Sequence, residues 1–351
     1  MKINLQKSFF AETKQELLSY GSIKIDAFKY ASGVEALEVK NNKCSFIFTP
    51  FKGQQVWHYT VDGKELSMKT TIKEPTKSNV YLENYGGFIY HCGLISMGVP
   101  DGNHPQHGEI PNAQYDSAYI ACGCDEGGRY ICLGGELNHD TAFIRKYTFA
   151  PEIKLYEDSA LLKINVRIEN KRAYDMEYMY LCHINFLPID KAQLICSAKC
   201  DNEHIKPYNN GGSDALMQYM EQIERDPAVM TMVGAKGQCY DLEICCRVKY
   251  IPDEQGRAYT MQYTDNGACF VSHPTDPLSN GVRWISRTQN EDAMGMVLPA
   301  TAEHIGYEHA KKTGQLKVLG PNEVLEFYME AGFIEKDEAD KYKAKIEKII
   351  G

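Results

Sequence analysis

The strictest constraint on what this chain of 351 residues can become is an alternation of apolar and polar residues with a period of two. In Ala160–Asn170, Leu162, Ile164, Val166 and Ile168 share one parity, and Lys163, Asn165, Arg167 and Glu169 the other. Tyr240–Tyr250 repeats this, with Leu242, Ile244, Cys246 and Val248 set against Asp241, Glu243, Arg247 and Lys249. Successive side chains of a strand point to opposite faces, so each run is a strand with one buried and one wet face. Strands buried inside a parallel sheet would be apolar throughout, so the sheets are expected to be antiparallel.

Turn residues punctuate these runs. Asn41-Asn42 joins Leu37–Val39 to Cys44–Phe48, and Asp62-Gly63 follows Tyr59-Thr60-Val61. Both fit tight hairpins whose central residues take positive φ. Only two stretches have helical spacing. Ser213–Glu224 opens on an N-cap serine and places Leu216, Met220 and Ile223 on one stripe. Lys336–Ile350 aligns Ala339, Tyr342, Ile346 and Ile350 among lysines and glutamates, a helix expected to pack across the outside of the sheets. Many strands and few helices predict an all-β sandwich, and the absence of linkers or repeats predicts one domain spanning 1–351.

A net charge of −9 with no Lys/Arg cluster argues against nucleic acid and anionic membranes as partners. No run of about 18 apolar residues is present to span a bilayer, and the first ten residues lack an apolar signal-peptide core. A cytoplasmic location is therefore expected. The twelve cysteines include no Cys-x-x-Cys pair, and Cys245/Cys246 are read as opposite faces of one strand, so packing is their expected role.

Chemistry concentrates in three stretches. Tyr85-Gly-Gly-Phe-Ile-Tyr-His-Cys-Gly-Leu94 is followed by Asn103-His-Pro-Gln-His-Gly-Glu-Ile-Pro-Asn112, and later by Tyr180-Leu-Cys-His-Ile-Asn-Phe-Leu-Pro188. In the last, alternation puts Met179, Leu181, His183 and Asn185 on one face, a polar pair ending an apolar row. Gly108 beside His107 permits a close backbone approach. Gly86 and Gly87 read as turn residues, and His104 as a solvated loop residue.

Taken in this order, Gly86-Gly87, Cys92-Gly93-Leu94, His107-Gly108-Glu-Ile-Pro-Asn112 and Cys182-His183-Ile-Asn185-Phe186 resemble a DUF4432-type branch of the aldose 1-epimerase (galactose mutarotase-like) superfamily. That branch carries His-Gly-Arg-Ile-x-Asn and His-Ile-Asn-Phe motifs at a similar separation. The resemblance runs from about Tyr81 to Pro188 and returns around Trp284–Pro299 and Gly314–Glu330. It implies a β-supersandwich with a sugar in an open cleft. In the mutarotases one histidine protonates the ring oxygen while a glutamate takes the anomeric proton, which is paired general acid–base catalysis. Carried over by motif, His183 is the acid and His107 holds a hydroxyl and charge at the ring oxygen. Glu109, Asn112, Asn185 and Trp284 are candidate sugar contacts.

Two departures stand out. Glu109 occupies the motif's arginine position, which argues against an anionic sugar. Leu298, in Met296-Val-Leu-Pro299, stands where the mutarotases have their catalytic glutamate. Glu303 or Glu308 is the expected replacement base, Glu303 being placed first and Glu308 counted with the sugar contacts. No metal or other cofactor is expected. The partner is a small-molecule carbohydrate, with a homodimer the one assembly allowed for. Two rival readings are a non-catalytic sugar binder that has lost its base, and a cupin-like metal-dependent sugar isomerase using His104, His107, Glu109 and His183.

Overall fold

In a computed structural model, which describes residues 1–208, 211–234 and 243–351, the chain folds into two large antiparallel sheets. One has nine strands among the described residues and the other thirteen. The strand Leu161–Asn170 alternates half-exposed and buried residues along its whole length, with Leu162, Ile164, Val166 and Ile168 turned inward. Between the sheets these meet residues of the second sheet, among them Phe48, Tyr180, Cys182 and Ile244, in one continuous apolar core. Every strand pair in the two sheets is antiparallel, as the alternation requires.

The predicted hairpins form. Strands Glu35–Lys40 and Cys44–Thr49 pair through the Asn41-Asn42 turn. Asp62 and Gly63 take φ of 47° and 75° between Gln55–Val61 and Lys64–Glu65. Both helices form as well. Asp214–Arg225 is capped by Ser213, whose hydroxyl accepts from Leu216 N–H at 3.3 Å. Lys336–Ile350 lays Ala339 and Ile346 on Met261, Phe270 and Ile334, covering the outer face of the nine-stranded sheet. A third α-helix, Tyr307–Lys312, forms beyond the two stretches with helical spacing. The Tyr240–Tyr250 strand is observed as Ile244–Val248, and its residues 240–242 lie outside the described residues. Among the described residues no helix is long and apolar enough to cross a membrane.

The thirteen-stranded sheet has a second apolar layer on the face turned away from the core. Its order there is Ile205–Tyr208, Ile244–Val248, Asn280–Arg287, Asp292–Ala300, Met176–Ile184, Ile89–Leu94. Loops fold over this face and enclose a cavity.

Candidate active site

Register explains which side chains meet in the cavity. Along Met176–Ile184, Tyr180, Cys182 and Ile184 enter the core between the sheets, so Met179, Leu181 and His183 turn to the opposite face. Leu181 is opposite Cys92 on one neighbouring strand and Ala300 on the other. One strand further Leu298 is opposite Val282, and beyond that Trp284 is opposite Cys245. The resulting chamber encloses about 560 Å³, counting space open to solvent, with Leu181, His183, Val282, Trp284 and Leu298 as its floor. Tyr81, Tyr85, His107 and His304 supply walls from the loops.

His183 is buried, with 4% of its surface exposed, and is held from behind. Its Nδ1 lies 2.6 Å from Asn185 Oδ1. The Asn185 amide is oriented by its Nδ2, which donates to the Gly87 carbonyl at 3.1 Å, a group that can only accept. Oδ1 must therefore face the ring, so His183 carries its hydrogen on Nδ1, and Nε2 keeps its lone pair. Tyr85 also donates to Asn185 Oδ1, at 3.1 Å. Burial lowers the His183 pKa to about 3, against a smaller upward pull from Asn185, so the ring is neutral at pH 7. In this structure His183 therefore offers an acceptor at Nε2, whereas the acid role implied by the motif would need a proton there.

His107 reaches the same chamber from a long loop. Its ring stands 5.2 Å from that of His183 at 86°, and 4.6 Å from Tyr81. The loop is fixed by main chain: Gly93 N–H donates to His107 O at 3.0 Å, and His107 N–H to Gly98 O at 2.9 Å. Gly108 has φ +80°, and a Cβ there would strike the carbonyls of Ser96 and Gly93, so only glycine fits. His107 itself has φ +60°, a left-handed conformation that costs a non-glycine residue of order 1 kcal/mol and recurs at functional sites. Burial, then the neighbouring His183 and His304, holds its pKa well below the ordinary value. Its Nδ1 is buried without a hydrogen-bond partner. His304, the third imidazole, is lowered to about 4 by burial, which outweighs Glu303.

Trp284 lies edge-on to His183 with centroids 5.4 Å apart, and its indole N–H donates to Glu243 Oε2 at 2.6 Å. Glu243 is the one carboxylate among the described residues lining the chamber, and it is exposed to solvent. Sequence reasoning missed it by reading the Asp241, Glu243, Arg247, Lys249 face as wet. Cys245 has the same parity and lines the chamber too, so that end of the face turns to the cavity and not to open solvent. The signal was this buried cysteine between charges.

The other expected site residues are placed elsewhere. Glu109 accepts from Leu94 N–H at 2.9 Å, from Ile95 N–H at 3.1 Å and from the Tyr147 hydroxyl, so it ties a loop to the sheet instead of facing His183. Asn112 accepts from Gln55 at 2.9 Å and Asn84 at 2.7 Å in a buried amide cluster. Asn185 stands behind His183 as a positioning residue. Glu303 does not line the chamber. Although burial raises it, donors from His309, Tyr208 and Gln315 outweigh burial and hold its carboxyl at about 2. His309 Nε2 is 2.8 Å away and Arg247 3.4 Å. A carboxylate so satisfied is a poor proton acceptor, which corrects the expected base. Glu308 is exposed on the Tyr307–Lys312 helix and does not line the chamber either. His104 packs half-buried against Tyr307, with ring centroids 4.9 Å apart and the planes tilted by 44°, instead of standing free in solvent. Of the rival metal set only His107 and His183 line one cavity, and no group of three His, Cys, Asp or Glu among the described residues is arranged to hold a metal.

The family model described as a domain of unknown function, DUF4432, matches residues 31–332. A candidate aldose 1-epimerase from Klebsiella pneumoniae superimposes with a TM-score of 0.80 at 16% identity, covering 100% of this chain and 92% of that one. A galactose mutarotase-like protein from Clostridium acetobutylicum gives 0.59 at 13% identity, over 90% and 100%. A galactose mutarotase related enzyme from Lactobacillus acidophilus gives 0.54 at 12%, over 86% and 97%. Likeness at these identities establishes the fold, an antiparallel galactose mutarotase-like sandwich. No functionally curated protein matches the sequence.

Proposed function

Because the chain belongs to the DUF4432 family and has the galactose mutarotase-like fold, we propose that it binds a sugar over His107 and His183 and exchanges its anomers. The observation that carries this reading is the meeting of two neutral imidazoles and an ionisable carboxylate around one chamber with an aromatic floor. Aromatic faces suit the C–H surface of a pyranose, and the polar groups suit its hydroxyls.

The proton inventory assigns the roles. Glu243, oriented by Trp284, takes the proton of the anomeric hydroxyl as the C1–O5 bond breaks, giving an aldehyde and an alkoxide at O5. An N–H of His107 stabilises that alkoxide. His183, with Nε2 unprotonated, accepts from a sugar hydroxyl and fixes the ring. After rotation about C1–C2, O5 attacks the other face of the aldehyde, and Glu243 returns its proton to O1. Charge and protons balance over the cycle, and burial strengthens the stabilisation at O5.

Nuclear magnetic resonance exchange between α and β anomers, run over a panel of aldoses, tests this. Glu243→Gln is expected to lower the catalysed exchange by roughly 10²–10⁴-fold, the usual cost of losing a general base. Wild-type exchange no faster than buffer, for every sugar that binds, would refute catalysis. A second reading, sugar binding without turnover, is favoured by one observation. Leu298 occupies the chamber floor at the position where the resemblance places a glutamate, so no carboxylate there keeps His183 protonated. Saturable binding with no exchange selects it.

A further inference from the structure

A second cavity adjoins the first. It encloses about 1240 Å³ including space open to solvent, and shares Tyr81, Leu82 and Gln106 with the sugar chamber. These residues form a partition between two compartments, and Leu82 stands on it 58% exposed. Resting on the sugar-site reading above, we propose that this cavity is the subsite for a second sugar residue, so that the preferred ligand is a neutral, reducing disaccharide or longer oligosaccharide.

Three observations support the assignment. The first is continuity: a substituent leaving the first chamber past Leu82 and Gln106 enters the second directly. The second is lining chemistry. Asn112 is 5% exposed, and its Nδ2, which carries two hydrogens, makes one long contact of 3.5 Å to Asn79 O. This weak bond leaves the amide able to exchange toward a ligand hydroxyl in the cavity it lines. Gln114 adds a polar amide at the same wall, and Val80, 57% exposed, adds apolar surface for sugar C–H groups. The third is charge. No lysine or arginine is found among the described residues lining either cavity, whereas Glu243 and Glu109 are. A phosphate or uronate would lack a counter-charge and face two carboxylates, so a neutral glycan is the matching class.

Calorimetry with the full chain tests this by comparing glucose, galactose and mannose with maltose, cellobiose and lactose. At least one disaccharide is expected to bind ten-fold or more tighter than its reducing-end monosaccharide. Gln114→Trp, which fills the second cavity from an exposed position, is expected to abolish that advantage while leaving monosaccharide Kd within two-fold. Val80→Trp at the same cavity serves if the first variant does not fold. Monosaccharide binding with no disaccharide preference, or a preference that survives both variants, overturns this inference and leaves the sugar site standing. Failure of every sugar to bind overturns both.

Discussion

The neutral state of His183 sets the chemistry of the pocket, and acid makes it measurable through stability. Burial lowers this imidazole from 6.5 to about 3. Between those values the unfolded chain binds a proton that the folded chain refuses, so stability present above pH 6.5 is lost as pH falls toward 3. At pH 5 the unfolded ring lies about 1.5 units below its pKa. At roughly 1.4 kcal/mol per unit this favours unfolding by about 2 kcal/mol, and at pH 8 by nothing. His183→Gln removes the titration and keeps an amide able to donate to Asn185. Urea unfolding of both proteins at pH 8 and pH 5 isolates the effect, because His91 and His273, also lowered to about 3, and His304, at about 4, cancel in the difference. The variant is expected to gain about 2 kcal/mol on wild type between pH 8 and pH 5. A difference that does not change with pH would mean that His183 is protonated at pH 5 in the fold, and would restore it as an acid.

Four further outcomes are expected. Gly108→Ala, whose Cβ strikes two carbonyls at positive φ, should cost about 2 kcal/mol or more by denaturant titration. Ile164→Ala, opening a void in the fully buried core, should cost about 2–5 kcal/mol by the same assay. Leu298→Glu should raise the His183 pKa by roughly 1–3 units in an NMR titration, since an opposite charge nearby favours the imidazolium. Trp284→Phe keeps the aromatic floor but removes the donor to Glu243, and should slow anomer exchange by about ten-fold with Kd little changed.

Much of the fold was legible because local pattern and tertiary burial agree. The alternation of Leu162 to Ile168 corresponds residue for residue to the buried side of its strand, and Ser213 caps the helix it announces. The pairing of His107 with His183 was legible only through motif order, since 76 positions separate them and no local period connects them. What escaped was the identity of the wet faces. A polar residue beside a strand can meet solvent, the cavity or other side chains, and tertiary context alone puts Glu243 at the chamber and Glu303 away from it. Glu303 is taken up by His309, Arg247 and Gln315, which are 6, 56 and 12 residues away in sequence. The Tyr307–Lys312 helix was missed because six residues give too short a stripe for helical spacing to register.

The carbonyl of Gly87 belongs to a residue with no side chain, yet it decides where a proton sits two groups away. A turn that shifted this one oxygen would free the asparagine amide to rotate and present nitrogen to the ring, and the lone pair would then face backward, away from any bound sugar. The protonation pattern at the chamber floor is thus written partly in the main chain of a neighbouring loop. A designer who preserved every polar side chain of the pocket but rebuilt that turn would obtain a different reagent.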